Sequence, residues 1–295
     1  MTRYEPNIDL DSLEAIDVHV HIEIDAHGHA SLPDDLVAAA SKYFAADAAR
    51  PDLDSIADYY RERRMAAVVF TVDSETQLGH APISSADIAE GAARNSDVLI
   101  PFGSVDPQRA DAVDRARRLI EDNGVRGFKF HPTVQGFDPS DSVYFPLYET
   151  LQEAGVVALF HTGQTGIGAG LPGGRGMRLA LSNPMLLDGV AAEHPDLQII
   201  MAHPSVPWQD EALSVATHKH NTWIDLSGWS PKYFPDALVR AANSYLKDRV
   251  LFGSDYPLLT PDRWKRDAAA AERFKPETLP GILKDNAVRL LGLAG

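Results

Sequence analysis

The chain has 295 residues, of which 44% are hydrophobic and 23% charged, a composition that suits a globular protein with a large core. Its net charge of −15 argues against nucleic acid or an anionic membrane as a partner. Because cysteine is absent, disulfides, thiolate metal sites and a cysteine nucleophile are excluded. No apolar run reaches the roughly 18 residues of a membrane span, and the first residues lack a signal-peptide pattern, so we expect a cytoplasmic protein.

Eight short apolar runs alternate with segments of helical periodicity along the chain. In chain order they are AIDVHVHI, MAAVVFTVD, VLIPFGSVD, VRGFKFHP, VVALFHTG, LQIIMAHP, TWIDLSG and RVLFGSDYP. Runs of this kind predict strands covered on both faces, and the alternation predicts parallel pairing through right-handed crossovers. Eight such units over about 250 residues predict one (β/α)8 (TIM) barrel as a single domain over residues 1–295, with an open doubly wound sheet as the competing architecture.

Two of the segments between predicted strands are longer than a crossover needs. Residues 23–64 follow the first strand, and residues 163–197 follow the fifth. The second segment begins GQTGIGAGLPGGRGM, whose glycines suit a loop that approaches a ligand closely. Because the loops after the strands form the active-site face of such a barrel, we predict long loop insertions after strands 1 and 5 at that face.

Polar side chains recur at the C-terminal ends of the predicted strands, which a barrel gathers at one mouth. They are His19, His21, Lys129, His131, His161, His203 and Asp255. Since side chains alternate along a strand, His19 and His21 share a face, as does Asp17, and the two imidazoles can bind one ion. Neutral imidazoles and carboxylates are ligands of zinc and similar ions, so the recurrence predicts a metal centre rather than isolated hydrogen-bonded histidines. His131 either lines the pocket or orients a ligand.

Five fragments, in this order along the chain, resemble the amidohydrolase superfamily. They are D-x-H-x-H at 17–21, F-H-T-G at 160–163, A-H-P at 202–204, G-S-D-Y-P at 253–257 and D-N-A-x-R-L-L-G at 285–292. Within the superfamily they are similar to the amidohydrolase-related branch, which includes aminocarboxymuconate semialdehyde decarboxylase and the hydroxybenzoate decarboxylases. The resemblance covers almost the whole chain and implies a metal-dependent enzyme, but members of this family hydrolyse, decarboxylate and hydrate on the same scaffold.

The resemblance also implies roles for individual residues. His19, His21, His161 and Asp255 correspond to the ligands of one divalent ion, zinc or manganese. His203 corresponds to a catalytic histidine that binds a second ion or polarises the substrate. Asp255 corresponds to a ligand that also moves a proton, which makes it the second catalytic residue.

Two further residues keep alternative roles. Lys129 occupies the position where binuclear members carry a carboxylated lysine between two metal ions. It could instead be an ammonium that receives a substrate carboxylate, or a structural lysine paired with an acid. We therefore expect one ion, or two if Lys129 is carboxylated. Asp17 is a candidate acceptor for the outer ring nitrogen of a ligand histidine, or else a structural residue.

Side chains near the predicted mouth favour a flat, partly apolar acid as the substrate. The candidates for substrate binding are His131, Arg175, Arg178, Trp229, Lys232 and Tyr256. An arginine fork suits a carboxylate, and aromatic side chains suit a ring, although packing between loops is the alternative role of the aromatic residues. We therefore predict a small aromatic or unsaturated carboxylic acid.

Two reactions suit such a substrate. The first is non-oxidative decarboxylation, in which Asp255 or His203 delivers a proton to the carbon that bears the carboxylate. The alternative is hydrolysis of an amide, lactone or carbon–carbon bond in a ring-derived acid, with a metal-activated water as nucleophile. A non-catalytic metal-binding barrel is disfavoured, because a potential ligand is present at every expected position. The resemblance further implies a homodimer.

Overall fold

The structure, a computed structural model, describes residues 2–44 and 50–293. Within these residues, eight parallel strands form one sheet in sequential order. They are β1 (Ala15–His21), β2 (Met65–Phe70), β3 (Leu99–Gly103), β4 (Gly127–Phe130), β5 (Val157–His161), β6 (Ile199–Ala202), β7 (Thr222–Asp225) and β8 (Val250–Leu251). Each strand lies inside one of the eight predicted apolar runs, so the strand prediction is confirmed.

Backbone hydrogen bonds join the last strand to the first. The amide of Val18 donates to the carbonyl of Phe252 at 3.0 Å, and the amide of His21 donates to the carbonyl of Tyr256 at 2.8 Å. The sheet therefore closes on itself, which an open doubly wound sheet does not do. The predicted (β/α)8 barrel is confirmed.

Helices cover the outside of the barrel. The α-helices of the described residues are α1 (Asp34–Phe44), α2 (Leu53–Glu62), α3 (Glu75–Leu78), α4 (Ser85–Arg94), α5 (Ala112–Arg118), α6 (Pro132–Gln135), α7 (Phe145–Glu153), α8 (Leu186–Glu193), α9 (Gln209–His218), α10 (Asp236–Ala242), α11 (Pro261–Ala271) and α12 (Asn286–Leu291). Side-chain caps begin several of them, as where Ser84 accepts from the amide of Asp87. None of the helices in the described ranges has the length and apolar character needed to cross a bilayer.

The two long segments contain helices as well as loops. Residues 23–64 hold a short hairpin bridged at Ile24 and Ala30, then α1 and α2. Residues 163–197 hold two 3-10 turns, Pro172–Gly176 and Leu179–Ser182, before α8. Both segments begin at the C-terminal ends of their strands, where a TIM barrel carries its active site.

Apolar side chains form one cluster inside the barrel and a larger one between barrel and helices. The strand residues of the inner cluster are Ile16, Val18, Ala66, Val68, Phe70, Ile100, Phe102, Val157, Leu159, Ile200, Ala202, Trp223 and Leu251. Their neighbours in the same strands, such as Phe128, Phe160 and Ile224, belong to the outer cluster. Because side chains alternate along each strand, every second strand residue points into the barrel. These inward side chains are apolar, and the polar residues lie at the C-terminal strand ends above them.

A bulge in β1 separates Asp17 from His19. The pairing of β1 with β2 shifts by one residue between Asp17 and Val20. The ring of His19 lies inside the barrel, 5.1 Å from the ring of Phe70, whereas Asp17 Oδ2 accepts from the hydroxyl of Tyr60 in α2 at 2.7 Å. Strict alternation predicted one shared face for Asp17 and His19. That prediction is wrong, because the extra residue of a bulge reverses the side of the strand.

Candidate functional site

Three of the predicted metal ligands meet at the mouth of the barrel. His19 Nε2 lies 3.2 Å from His21 Nε2 and 3.3 Å from Asp255 Oδ1. His21 Nε2 lies 3.1 Å from the same carboxylate oxygen. Ligand atoms that share one zinc ion in a tetrahedral site are about 3.3 Å apart, because each bond is about 2.0–2.1 Å long. The three side chains therefore have the spacing that one divalent ion requires.

His203 reaches the same cluster through an unusual backbone conformation. His19, His203 and Asp255 each present a ligand atom within 4.8 Å of the other two. His203 and Asp255 are in the left-handed region, with φ of 70° and 75°. Such a conformation costs about 1–3 kcal/mol per residue and occurs mostly at functional sites. It turns both residues back toward the mouth, where the amide of Asp255 donates to the carbonyl of His19 at 3.0 Å.

His161 lies on the far side of His203. Its Nδ1 is 3.0 Å from His203 Nε2, and its ring stacks on that of His131 with 3.8 Å between centroids. Its Nε2 is buried and has no hydrogen-bond partner among the described residues. An unpartnered buried nitrogen is unfavourable unless a ligand takes up its lone pair. The residues present thus fit a metal ion, and the ligand set His19, His21, His161 and Asp255 stays a prediction.

The protonation states of these side chains suit a metal ion. Burial first, and the charge of Lys129 second, lower the pKa of His19 to about 3. Burial is also the main reason that the pKa values of His161 and His203 lie below their usual range. For Asp255, burial raises the pKa, but the hydrogen bond with His21 and the neighbouring histidines outweigh burial and hold the pKa below its usual range. Neutral imidazoles and an ionised carboxylate are the forms that bind a divalent cation.

Sequence reasoning missed Asp225 at the end of β7. Its Oδ2 accepts from His19 Nδ1 at 2.9 Å, and its Oδ1 accepts from the amides of Ser227 at 2.8 Å and His203 at 3.3 Å. This acceptor keeps the proton of His19 on Nδ1 and leaves Nε2 free for an ion. Asp17 does not take that role, since its partners are a tyrosine hydroxyl and backbone amides. The available signal was an aspartate that ends an apolar strand, as the histidines do.

Lys129 lies directly beneath the cluster. It is 1% exposed, and its Nζ is 3.1 Å from His19 Nε2 and 4.9 Å from the ring centre of Phe70. Burial lowers its pKa to about 8, although Asp225 and Asp255 oppose that shift. Its ammonium forms no ion pair with a carboxylate of the described residues, so the paired structural role is not observed. The carboxylated lysine and the substrate-binding ammonium remain predictions.

The cluster opens into a cavity of about 300 Å³. Its polar side is formed by His21, His131, His161, His203 and Asp255. Its apolar side chains include Ile22, Leu32, Val72, Val134, Ile167, Trp229 and Leu258. Both long segments contribute to the walls, through Ser31 and Leu32 in one and Thr165 and Ile167 in the other. A small apolar pocket with a few convergent polar groups is typical of a small-molecule site.

The predicted substrate-binding residues fall into two groups. His131 and Trp229 line the cavity. The others are not among the lining residues that the structure describes: Arg175, Arg178, Lys232 and Tyr256. Arg175 Nε donates to Asp35 at 2.7 Å, and Tyr256 stacks on a tyrosine of α2 with 4.9 Å between centroids. A contact of these four residues with substrate stays a prediction.

One guanidinium that sequence reasoning missed lies at the rim of the cavity. Arg50 Nε is 3.3 Å from the carboxylate of Glu23, which lines the cavity, and both side chains are about one quarter exposed. The two residues are distant in sequence, and α1 lies between them. No local pattern indicates the pairing, because it joins residues on either side of α1.

The amidohydrolase family model matches residues 16–293 of the chain. This protein belongs to the amidohydrolase family. The match includes every strand except the first residue of β1, and the donor cluster at the mouth agrees with the metal dependence of the family. The family is the one that the sequence fragments predicted.

Individual relatives of this amidohydrolase agree with the predicted branch. A 2-amino-3-carboxymuconate-6-semialdehyde decarboxylase from Dictyostelium discoideum is 25% identical over 239 residues, which are 70% of this chain and 64% of the relative. The matched region thus spans less than two thirds of that relative's length.

Solved structures are similar in fold. An uncharacterised TIM-barrel protein from Bordetella bronchiseptica has a TM-score of 0.74 at 24% identity, with 95% of this chain and 99% of that chain covered. A dihydroxybenzoic acid decarboxylase from a Polaromonas species, with bound manganese and the inhibitor 2-nitroresorcinol, has a TM-score of 0.68 at 16% identity, with 96% and 98% covered. At these identities the likeness establishes the barrel fold alone.

Replacing Asp225 with asparagine should weaken metal binding by this amidohydrolase. Both carboxylate oxygens accept hydrogen bonds, so an amide nitrogen at either position would face another donor. With the nitrogen toward His19, the ring must carry its proton on Nε2, which removes the lone pair that faces the cluster. We expect the dissociation constant for zinc to rise about 10- to 100-fold in a competition titration. An unchanged constant would show that Asp225 does not orient His19.

Replacing Gly228 with alanine should displace His203. A Cβ atom at this position would lie 2.8 Å from His203 Nδ1 and 3.2 Å from Asp255 Oδ2, and the backbone has φ of +74°. Since small misplacements of catalytic groups are costly, we expect kcat to fall about 10- to 100-fold. Gly189→Ala is the matched control, because its Cβ would have no neighbour within 4 Å in the part of the chain that the structure describes. A wild-type kcat in Gly228→Ala would mean that the exact position of the His203 ring is unimportant.

Proposed function

We propose that this amidohydrolase catalyses the non-oxidative decarboxylation of a small aromatic or unsaturated carboxylic acid. The observation that carries the proposal is the direct opening of the donor cluster into a small cavity with apolar walls. Two similar proteins support it, since the curated relative and the Polaromonas structure are both decarboxylases of unsaturated or aromatic acids.

The size and lining of the cavity support a substrate with a single ring or a short conjugated chain. About 300 Å³ is near the lower end of the usual range for small-molecule sites. Trp229 lines the cavity together with aliphatic side chains, and a flat apolar ligand packs well against such walls. Thr71 also lines it, and the hydroxyl of this residue has no hydrogen-bond partner among the described residues.

The substrate carboxylate has two sources of positive charge near the cavity. His19, His21, His161 and Asp255 would hold one zinc or manganese ion, which when bound supplies a positive charge for the carboxylate and an adjacent hydroxyl. At the rim, a second acidic group of a substrate would compete with Glu23 for Arg50.

Proton delivery in the proposed reaction belongs to Asp255 or His203. Because Asp255 is ionised and His203 is neutral, the side chain that acts would first accept a proton from water or from a substrate hydroxyl. The bond between the ring carbon and the carboxyl carbon breaks, carbon dioxide leaves, and the electron pair on the ring carbon takes up that proton. Both side chains line the cavity beside the donor cluster, so a ring held there is within reach of either. General acid catalysis of this kind contributes about 10²- to 10⁴-fold to a rate.

Hydrolysis of an amide, lactone or carbon–carbon bond is the second candidate, and Lys129 favours it. A lysine with a pKa of about 8 is partly neutral, and the neutral amine is the form that carbon dioxide converts to a carbamate. A carbamate formed on Lys129 Nζ, an atom that lies 3.1 Å from His19 Nε2, would help to bind a second ion. Two metal ions per chain with a modified Lys129 would favour hydrolysis.

Heavy-oxygen water distinguishes the two reactions. The metal-loaded enzyme is incubated with hydroxybenzoic acids and with lactones of ring-derived acids in 18O-labelled water, and the products are analysed by mass spectrometry. Decarboxylation is expected to release one carbon dioxide per turnover with no label in the organic product. Label in the organic product without carbon dioxide release would replace the proposal with hydrolysis.

A further inference from the structure

A single carboxylate oxygen joins the two backbone segments that carry His19 and Asp255. Asp17 Oδ1 accepts from the amide of His19 at 3.1 Å and from the amide of Ser254 at 2.9 Å. His19 belongs to β1, whereas Ser254 follows β8 and immediately precedes Asp255. A backbone N–H can only donate, so both hydrogen bonds have the same direction whether the carboxyl group is ionised or neutral. Asp17 therefore bridges the seam at which the barrel closes.

The other oxygen of Asp17 is held from outside the barrel. Oδ2 accepts from the hydroxyl of Tyr60 in α2 at 2.7 Å. Asp17 and Tyr60 are both fully buried, and neither is among the described residues that line the cavity. The side chain of Asp17 thus has no access to an ion or a substrate in the cavity. Any effect that it has on the site passes through the backbone that it binds.

The backbone of Asp255 depends on such support. Its φ of 75° lies in the left-handed region, and a conformation of this kind persists only where neighbouring contacts hold it. Two contacts with β1 do so, because the amide of Ser254 donates to Asp17 and the amide of Asp255 donates to the carbonyl of His19 at 3.0 Å. Loss of the first contact would let the turn relax. The carboxylate of Asp255 would then move relative to His19 Nε2, which now lies 3.3 Å from it.

We infer that Asp17 is a positioning residue that sets the distance between His19 and Asp255 by binding the backbone of both segments. The bulge in β1 makes this possible, since it turns Asp17 away from the cavity while the ring of His19 lies inside the barrel. The inference rests on the predicted metal centre and not on the proposed reaction. The distance is fixed before any substrate binds, so the role of Asp17 is the same in a hydrolase as in a decarboxylase.

Cobalt titration of Asp17 variants tests the inference without activity. Metal-free protein is titrated with Co²⁺, whose visible absorption spectrum depends on the arrangement of its ligands, and zinc affinity is measured by competition. In Asp17→Ala both amides lose their acceptor, so we expect a changed cobalt spectrum and a zinc dissociation constant about 10- to 100-fold higher. Asp17→Asn keeps an oxygen for the two amides and a polar group for Tyr60, so it should restore the wild-type spectrum and affinity. If Asp17→Ala does not fold, Asp17→Val replaces it, because valine also lacks an acceptor but favours strands.

Asn286→Ala controls for a general loss of stability. Asn286 is buried, and its Nδ2 donates to the carbonyls of Lys247 and Val250, both at 2.8 Å, near the N-terminal end of β8. This variant also loses two hydrogen bonds to the backbone, but away from the mouth, so we expect a lower melting temperature with an unchanged cobalt spectrum. A wild-type spectrum and zinc affinity in Asp17→Ala, or an equal change in Asn286→Ala, would overturn the inference. A wild-type protein that binds no cobalt would remove the metal centre and the inference together.

Discussion

Replacing Asp255 with asparagine should lower turnover by about 10²- to 10⁴-fold while the barrel stays folded. Asparagine keeps the shape of the side chain and tolerates the left-handed conformation at φ of 75°. It removes the negative charge and the proton acceptor that lie 3.1 Å from His21 and 3.3 Å from His19. The measurements are kcat, the metal content per chain and the thermal melting curve.

The control for this variant is Asp262→Asn. Asp262 is half exposed and pairs with Arg63 at 2.8 Å on the outside of the barrel, so its turnover should equal that of the wild type. Near-normal turnover in Asp255→Asn at full metal content would refute the proton-transfer role. Loss of metal together with turnover would instead assign Asp255 mainly to metal binding.

Removal of the metal ion should abolish turnover and lower the melting temperature by roughly 5–10 °C. The reason is linkage, because a ligand that binds only the folded state at about 1,000 times its dissociation constant stabilises that state by about 4 kcal/mol. Among the residues that the structure describes, the buried His161 Nε2 also has no hydrogen-bond partner. Dialysis against a chelator followed by calorimetry measures the shift, and added zinc or manganese should restore both activity and melting temperature.

A ligand variant separates specific binding from general effects of the chelator. His21 is the most exposed of the three clustered ligands, so His21→Asn is expected to fold and to show a smaller response to the chelator than the wild type. If purified, folded wild-type protein contains no divalent ion and its melting temperature does not change when the chelator is added, the proposed metal centre does not exist.

The barrel was predictable because each strand is buried on both faces. Such strands read as continuous apolar runs, and MAAVVF and VALFH contain almost no other residue type. The polar strand ends were predictable for the same reason, since His161 and His203 interrupt or follow runs that are otherwise apolar. Parallel strands put those ends at one mouth, so residues more than 100 positions apart were assigned to one site.

The features that the sequence did not reveal depend on contacts between distant residues, which no local sequence pattern indicates. The bulge in β1 turns Asp17 toward Tyr60, and it is visible only in the pairing with β2. Asp225 is 206 residues from His19, whose ring it orients. Arg175 pairs with Asp35 on α1, a contact that its glycine-rich loop does not indicate, and its contact with substrate stays a prediction.

The sequence by itself determined the fold, the family and the residue types that converge on the mouth. The reason is that the apolar pattern of a buried strand, and the alternation of its side chains, can be recognised from the residues of that strand alone. Only the tertiary structure decided which nitrogen of His19 faces the cluster, which acid orients that ring and which side chains line the cavity. Hydrogen-bond direction depends on the positions of atoms from different strands within a few tenths of an ångström, and periodicity along one strand carries no such information.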